Sequence, residues 1–125
     1  MRYLLLFASL VAVPTLATAQ NMNAEEFHQR ATALKAKGAL ALFSGGEIKA
    51  LMKEGKASGD AARAQRLAAA QAGRPPRYCP PPATTSMDSG EFITRLSAIP
   101  QADRRRITMS EATTRILAGK YPCAK

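Results

Sequence analysis

Tyr78-Cys79-Pro80-Pro81-Pro82 and Tyr121-Pro122-Cys123 bracket the part of the chain whose reading decides the fold. They hold the chain's only two cysteines. Each is set against proline, which prevents or ends helix. Between them lie two short apolar stripes at helical spacing. Phe92, Ile93, Leu96 and Ile99 form the first. Asp88 or Ser89 caps it, Glu91 sits in its first turn and Pro100 stops it. Met109, Ala112, Ile116 and Leu117 form the second. It opens on the capping box Thr108-Met109-Ser110-Glu111 and closes at Gly119. Gln101 to Ile107 links the pair and carries Arg104-Arg105-Arg106. The expectation is a helical hairpin over 79–123, locked at its open end by a Cys79–Cys123 disulfide.

The start of the chain reads as a leader. Met1-Arg2 is positive, Leu4 to Val13 is apolar, and Ala17-Thr18-Ala19 is a small-x-small cleavage site. Residues 1–19 are thus expected to be removed, leaving a mature chain from Gln20. The apolar run breaks at Pro14, well short of the roughly 20 residues that a spanning helix needs. The expected location is the periplasm or the cell exterior. Two cysteines in a small exported chain are expected to pair. One histidine and two distant cysteines have no zinc-site spacing. No metal or cofactor is expected.

The mature chain, residues 20–125, has the size of one domain. Asn23-Ala24-Glu25-Glu26 is a helix start, with Asn23 as cap. Phe27, Ala31, Leu34 and Gly38 follow at helical spacing, and His28 lies beside that stripe. Gly38 ends this helix. Ala39-Leu40-Ala41-Leu42-Phe43 reads as a partly buried apolar connection. Ser44-Gly45-Gly46-Glu47 reads as another capping box. One long helix from Glu47 to about Ala72 is favoured over a break near Lys56-Ala57-Ser58-Gly59-Asp60. Its expected inward face is Ile48, Leu51, Met52, Gly55, Gly59 and Ala62. Two glycines four apart on that face imply close approach of another helix. Residues 23–72 thus form N-terminal helices, and 73–82, rich in proline, a stiff connection that aims Cys79. No stretch alternates with period two, so the fold class is all-α: a small helical bundle with a disulfide-closed C-terminal hairpin.

The chain carries 18 Lys and Arg against 9 Asp and Glu, and no Trp. Loss of Arg2 with the leader leaves a net charge of +8. Such a protein suits an acidic protein partner, anionic envelope polymer or lipid. Nucleic acid fits the charge but not the compartment, so none is expected. Catalysis would need a nucleophile with a base, a carboxylate pair in a cleft, or a metal. One histidine, paired cysteines and acids gathered at helix starts supply none of these, so no enzyme is expected. The candidate contact residues are Arg104, Arg105 and Arg106 at the hairpin tip, flanked by Arg95, Arg115 and Lys120. Arginine offers bidentate contacts to carboxylate or phosphate, and loops on rigid scaffolds often carry function. Tyr78 and Tyr121 beside the disulfide are a candidate aromatic patch.

A Cys-Pro, a helix ending Leu-x-x-x-Pro, a helix carrying Glu-Ala, and a final aromatic-Pro-Cys resemble the Tai-type immunity proteins of type VI secretion. Here these are Cys79-Pro80, Leu96 to Pro100, Glu111-Ala112 and Tyr121-Pro122-Cys123. The resemblance covers 79–123. The first half departs from it in lacking a further cysteine pair. The wider group is similar in shape to HdeA-like periplasmic proteins. The resemblance implies a small exported helical protein that binds and blocks a partner such as a peptidoglycan amidase toxin. The charge alone is also compatible with a binder of anionic polymer or lipid surface, and the HdeA-like shape with a holdase-like chaperone. Partner identity and oligomeric state are not legible in the residues.

Overall fold

The structure, a computed structural model, describes residues 22–83 and 86–124. The expected leader and its cleavage site lie outside the described residues. The helices are α1 (Ala24–Ala36), a 3-10 helix (Gly38–Phe43), α2 (Gly45–Gln71), α3 (Ser89–Ala98), α4 (Gln101–Arg104) and α5 (Met109–Lys120). No strand occurs among the described residues, only an isolated antiparallel bridge between Asn23 and Thr108. The fold is all-α, as the periodicity predicts. Among the described residues no helix is long and apolar enough to cross a membrane.

Asn23 does two jobs. Its Oδ1 accepts from the Glu25 and Glu26 amides at 2.9 and 3.4 Å, which caps α1. Its Nδ2 donates to the Arg105 and Ile107 carbonyls at 3.0 and 3.4 Å. Ala24 N also donates to Ile107 O at 3.0 Å, and Met109 N to Met22 O at 2.8 Å. One helix start is thereby sewn to the far turn of the hairpin. Asp88 caps α3 through Glu91 N at 2.8 Å. Thr108 caps α5 through Glu111 N at 3.2 Å.

The Ser44 capping box does not form. Ser44 makes no side-chain cap bond, and its hydroxyl accepts instead from Lys37 Nζ at 3.1 Å. Glu47 turns to Arg30 in a bidentate pair of 2.6 and 2.8 Å. A charge-assisted double bond outweighs a neutral cap bond. The exchange fastens α1 to α2 and draws the Glu47 carboxyl below its ordinary range, chiefly through the Arg30 hydrogen bonds.

The core gathers Ala24, Phe27, Leu51, Leu96, Met109, Ala112 and Ile116 from α1, α2, α3 and α5. Phe27 and Phe92 meet edge to face at 6.0 Å, the arrangement that ring quadrupoles favour. Leu96, Met109 and Ala112 are fully buried, so the two hairpin stripes face inward as their spacing predicts. Ile99 is extended before Pro100 (ψ 126°), and α4 starts directly after it. The cause is the clash that keeps a pre-proline residue out of helix.

Helix α2 is continuous over 27 residues. Its buried line is Leu51, Glu54, Ser58 and Ala62, not the expected Gly55–Gly59 stripe. The helix is turned by one position. A Cβ built on Gly55 or Gly59 would meet nothing within 4 Å, and Met52 is 70% exposed. Small residues still carry the close approach, but they are Ser58 and Ala62 against α5. The Ser58 and Thr113 hydroxyls are buried and hydrogen-bonded at 2.8 Å. That shared bond makes Ser58, rather than a glycine, the contact residue. Gly55→Ala and Gly59→Ala are therefore expected each to stabilise the protein by about 0.5–1 kcal/mol, since helical glycine carries an entropic cost and no neighbour clashes. Urea unfolding measures this, and a loss of stability at both positions would reinstate the glycine interface.

Gly73 (φ +68°) closes α2. Gly73 N donates to Ala70 O at 3.2 Å and Arg74 N to Ala69 O at 2.9 Å, a Schellman cap. The proline-rich connection then crosses to α5, held by Arg77 on Glu111 at 2.6 and 2.8 Å. It delivers Cys79, whose amide donates to Tyr121 O at 2.8 Å. Cys79 and Cys123 are bonded, with their Cα atoms 4.9 Å apart. The same open end of the hairpin is clasped by Lys120 on Glu91 at 2.8 and 2.9 Å.

Candidate functional site

The hairpin tip is not an array of free arginines. Arg104 is only 7% exposed. Its Nε donates to Glu25 Oε2 at 2.6 Å. Its Nη1 donates to the carbonyls of Ser97, at 3.3 Å, and Ile99, at the end of α3. The one-turn helix α4 rotates Arg104 inward while its neighbours stay out. Arg104 therefore leaves the candidate contact set. Tyr78 leaves it too: it is 4% exposed, and Arg66 lies over its ring at 5.4 Å. Tyr121 is half-buried, with Lys120 Nζ 5.7 Å from its ring centre.

The flanking arginines are engaged. Arg95 bonds Glu91 at 3.0 Å. Arg115 bridges Asp103 at 3.4 Å and Glu111 at 3.1 Å. The Glu91 carboxyl is held low first by Lys120 and then by Arg95. Of the tip residues, Arg105 and Arg106 remain exposed without a carboxylate partner among the described residues. His28 meets Ser97 Oγ at 2.9 Å.

All nine acidic side chains of the protein have a partner. Seven pair with Arg or Lys. Glu54 accepts from Met22 N at 2.6 Å, and Asp88 serves as a cap. What is left uncompensated is positive. On α2 the side away from Leu51, Glu54, Ser58 and Ala62 carries Lys49, Lys53, Lys56 and Arg63. Only Lys56 is matched there, by Asp60 at 2.7 Å.

Directly ahead of this basic face stands an apolar one. Leu40, Leu42 and Phe43 are 66, 82 and 88% exposed. The sequence predicts partial burial for this stretch, and the structure reverses it. A 3-10 turn repeats every three residues, so Leu40 and Phe43 stack on one edge. Within six residues held between Gly38 and Gly45, no face reaches the core. The signal that could have found this is the pair of flanking glycine breaks, which leave the segment too short for an amphipathic α-helix. Met52, seven residues along α2 from Gly45, adds a further exposed apolar side chain.

An exposed apolar patch beside basic side chains is a feature of protein-contact and membrane-contact surfaces alike. No family model, curated protein or solved structure matches the chain.

Proposed function

We propose that the chain is an exported, non-catalytic helical protein that occludes a protein partner, in the manner of the Tai-type immunity proteins it resembles over 79–123. A cell-wall amidase toxin is a partner of that type. The single observation that carries the reading is the exposed Leu40, Leu42 and Phe43 placed ahead of the α2 lysines. A buried-anchor contact there would be apolar at its centre and steered by charge at its rim. The fitting partner surface is an apolar pocket with acidic edges. Arg105 and Arg106 remain candidate peripheral contacts; Arg104 and Tyr78 do not.

The test is capture from an envelope extract by oxidised protein starting at Gln20, washed at low and high salt. One protein is expected to survive the high-salt wash on the unmodified chain. Leu42→Ser/Phe43→Ser is expected to lose it, with a deficit of at least about 2 kcal/mol, the size of an aromatic anchor. Retention unaffected by that double change removes the apolar segment from the account. A second reading is favoured by the uncompensated cations: an anionic envelope polymer or lipid. In that case everything captured is released by salt, because exposed charges are screened over about 10 Å at 0.1 M.

A further inference from the structure

A second feature lies near the other end of α2, a helix about 40 Å long at 1.5 Å per residue. The C-terminal half of α2, the start of the proline-rich connection and α5 enclose a cleft of about 330 Å³. Arg66, Arg74, Arg77, Tyr78, Ala69 and Thr114 are among its lining residues. That volume is in the range of small-ligand sites.

The arginines are not equivalent. Arg77 is neutralised by Glu111 at 2.6 and 2.8 Å. Arg66 and Arg74 have no carboxylate partner among the described residues. The Arg66 Nε is buried and meets no acceptor. A buried donor without a partner is costly, more so on a charged group. Arg66 is also held in place, since its guanidinium lies over the Tyr78 ring at 5.4 Å. Arg74 is set by the Schellman cap, through Arg74 N on Ala69 O at 2.9 Å. The same cap occupies carbonyls at the end of α2, which would otherwise present negative ends to an anion. Thr114 does not supply the missing acceptor: its hydroxyl donates to Ser110 O at 2.9 Å and makes no hydrogen bond to the Arg66 Nε.

We infer that this cleft binds a phosphoryl group whose oxygens accept hydrogen bonds from the guanidinium groups of Arg66 and Arg74. Two uncompensated guanidinium charges match a dianionic head, and guanidinium donors fit phosphate oxygens in pairs. The largely apolar wall around Ala69 and Tyr78 accommodates the body that carries the head. That head could belong to a soluble phosphate compound or to a phospholipid. The inference is independent of the apolar segment at the other end of the helix.

The experiment uses the oxidised protein in two arms. The first titrates inorganic phosphate against chloride at constant ionic strength and follows the thermal midpoint and ³¹P line width. The second measures retention on neutral vesicles doped with phosphatidic acid, with and without free phosphate. The variants are Arg66→Met, which keeps the apolar stem on Tyr78, and Arg74→Gln, at an exposed position. Lys49→Gln/Lys53→Gln removes charge elsewhere on α2. Phosphate binding or vesicle retention is expected to weaken at least tenfold in both arginine variants and to persist in the lysine variant. Retention displaced by free phosphate assigns a soluble ligand. Arginine-dependent retention that phosphate does not displace assigns a lipid head. The inference is overturned if neither arm shows binding beyond chloride. It is equally overturned if the lysine variant weakens binding as much as Arg66→Met or Arg74→Gln does.

Discussion

Arg104→Ala is expected to destabilise the protein by about 3–5 kcal/mol, the size of the penalty for leaving one member of a buried ion pair alone. The side chains of Arg104 and Glu25 are 9 and 8% exposed and 2.6 Å apart. Glu25 also accepts from Gln101 at 3.1 Å and Gln29 at 3.3 Å. Removing the guanidinium leaves that carboxylate buried and releases the α3 carbonyls it closes. Arg104→Lys is not an adequate substitute, because one ammonium cannot reproduce the fork. The double change Glu25→Leu/Arg104→Leu is expected to recover much of the loss, since it buries no unpaired charge. Urea unfolding of the three variants decides it. A loss under about 1 kcal/mol for Arg104→Ala would return this arginine to the surface.

The same network sets an acid limit. Burial alone would raise the Glu25 carboxyl, but the hydrogen bonds and charge of Arg104, with Gln101 and Gln29, outweigh it and hold it below the ordinary 4.5. A folded value below the unfolded one means that the stabilisation is fully present above about pH 4.5 and is lost as pH falls through the folded value. His28 acts earlier with the same sign. Burial first, and then the Arg104 charge, lower it from 6.5, with Glu25 opposing. The folded state thus favours neutral imidazole, and stability starts to fall as pH drops below 6.5. Stability measured from pH 7 to 3 is expected to decline in these two windows. The Glu25→Leu/Arg104→Leu variant should lose the Glu25 share of the lower decline, while the lowered Glu47, Glu91 and Glu111 carboxyls keep theirs.

Cys79→Ser/Cys123→Ser is expected to lower the unfolding free energy by about 4 kcal/mol at 25 °C. The bond closes a loop of sequence separation 44, and the chain-entropy model gives that size for such a loop. The loss is a large share of the roughly 5–15 kcal/mol available to a small domain. The hairpin keeps other ties: Cys79 N on Tyr121 O, Arg77 on Glu111 and Lys120 on Glu91. The reduced chain is therefore expected to retain its helices while unfolding at lower urea. Circular dichroism with and without reductant measures both. Coincident unfolding curves would show that the ion pairs hold the hairpin end without the bond.

The C-terminal hairpin was legible because local rules acted together there. Phe92, Ile93, Leu96 and Ile99 share one helical face, Pro100 must interrupt it, and Thr108 must cap the helix after it. The paired prolines and cysteines then leave few ways to close the end. Asn23 was legible as a cap, but not as the residue that also binds the Arg105 and Ile107 carbonyls, because that second role spans 82 residues or more. On α2 the pattern was ambiguous. Gly55, Ser58, Gly59 and Ala62 are all small, so spacing alone could not say which line faces α5. Rotation by one residue was settled by the Ser58–Thr113 hydrogen bond and by burial of Leu51.

The candidate sites were the least legible part. Arg104, Arg105 and Arg106 are identical in type and adjacent in sequence. Yet one is buried on Glu25 while the other two face water. The apolar Leu40, Leu42 and Phe43 resembled a buried connection and stand exposed. The orphan nitrogen of Arg66 has no sequence signature at all. Sequence by itself determined the helix starts and stops, the inward stripes of the hairpin and the cysteine pairing. These depend on backbone rules and periodicities within a few residues of each position. Tertiary structure alone decided which charges are spent on internal partners and which are left for others. That allocation depends on which distant carboxylate each guanidinium can reach once the helices have packed.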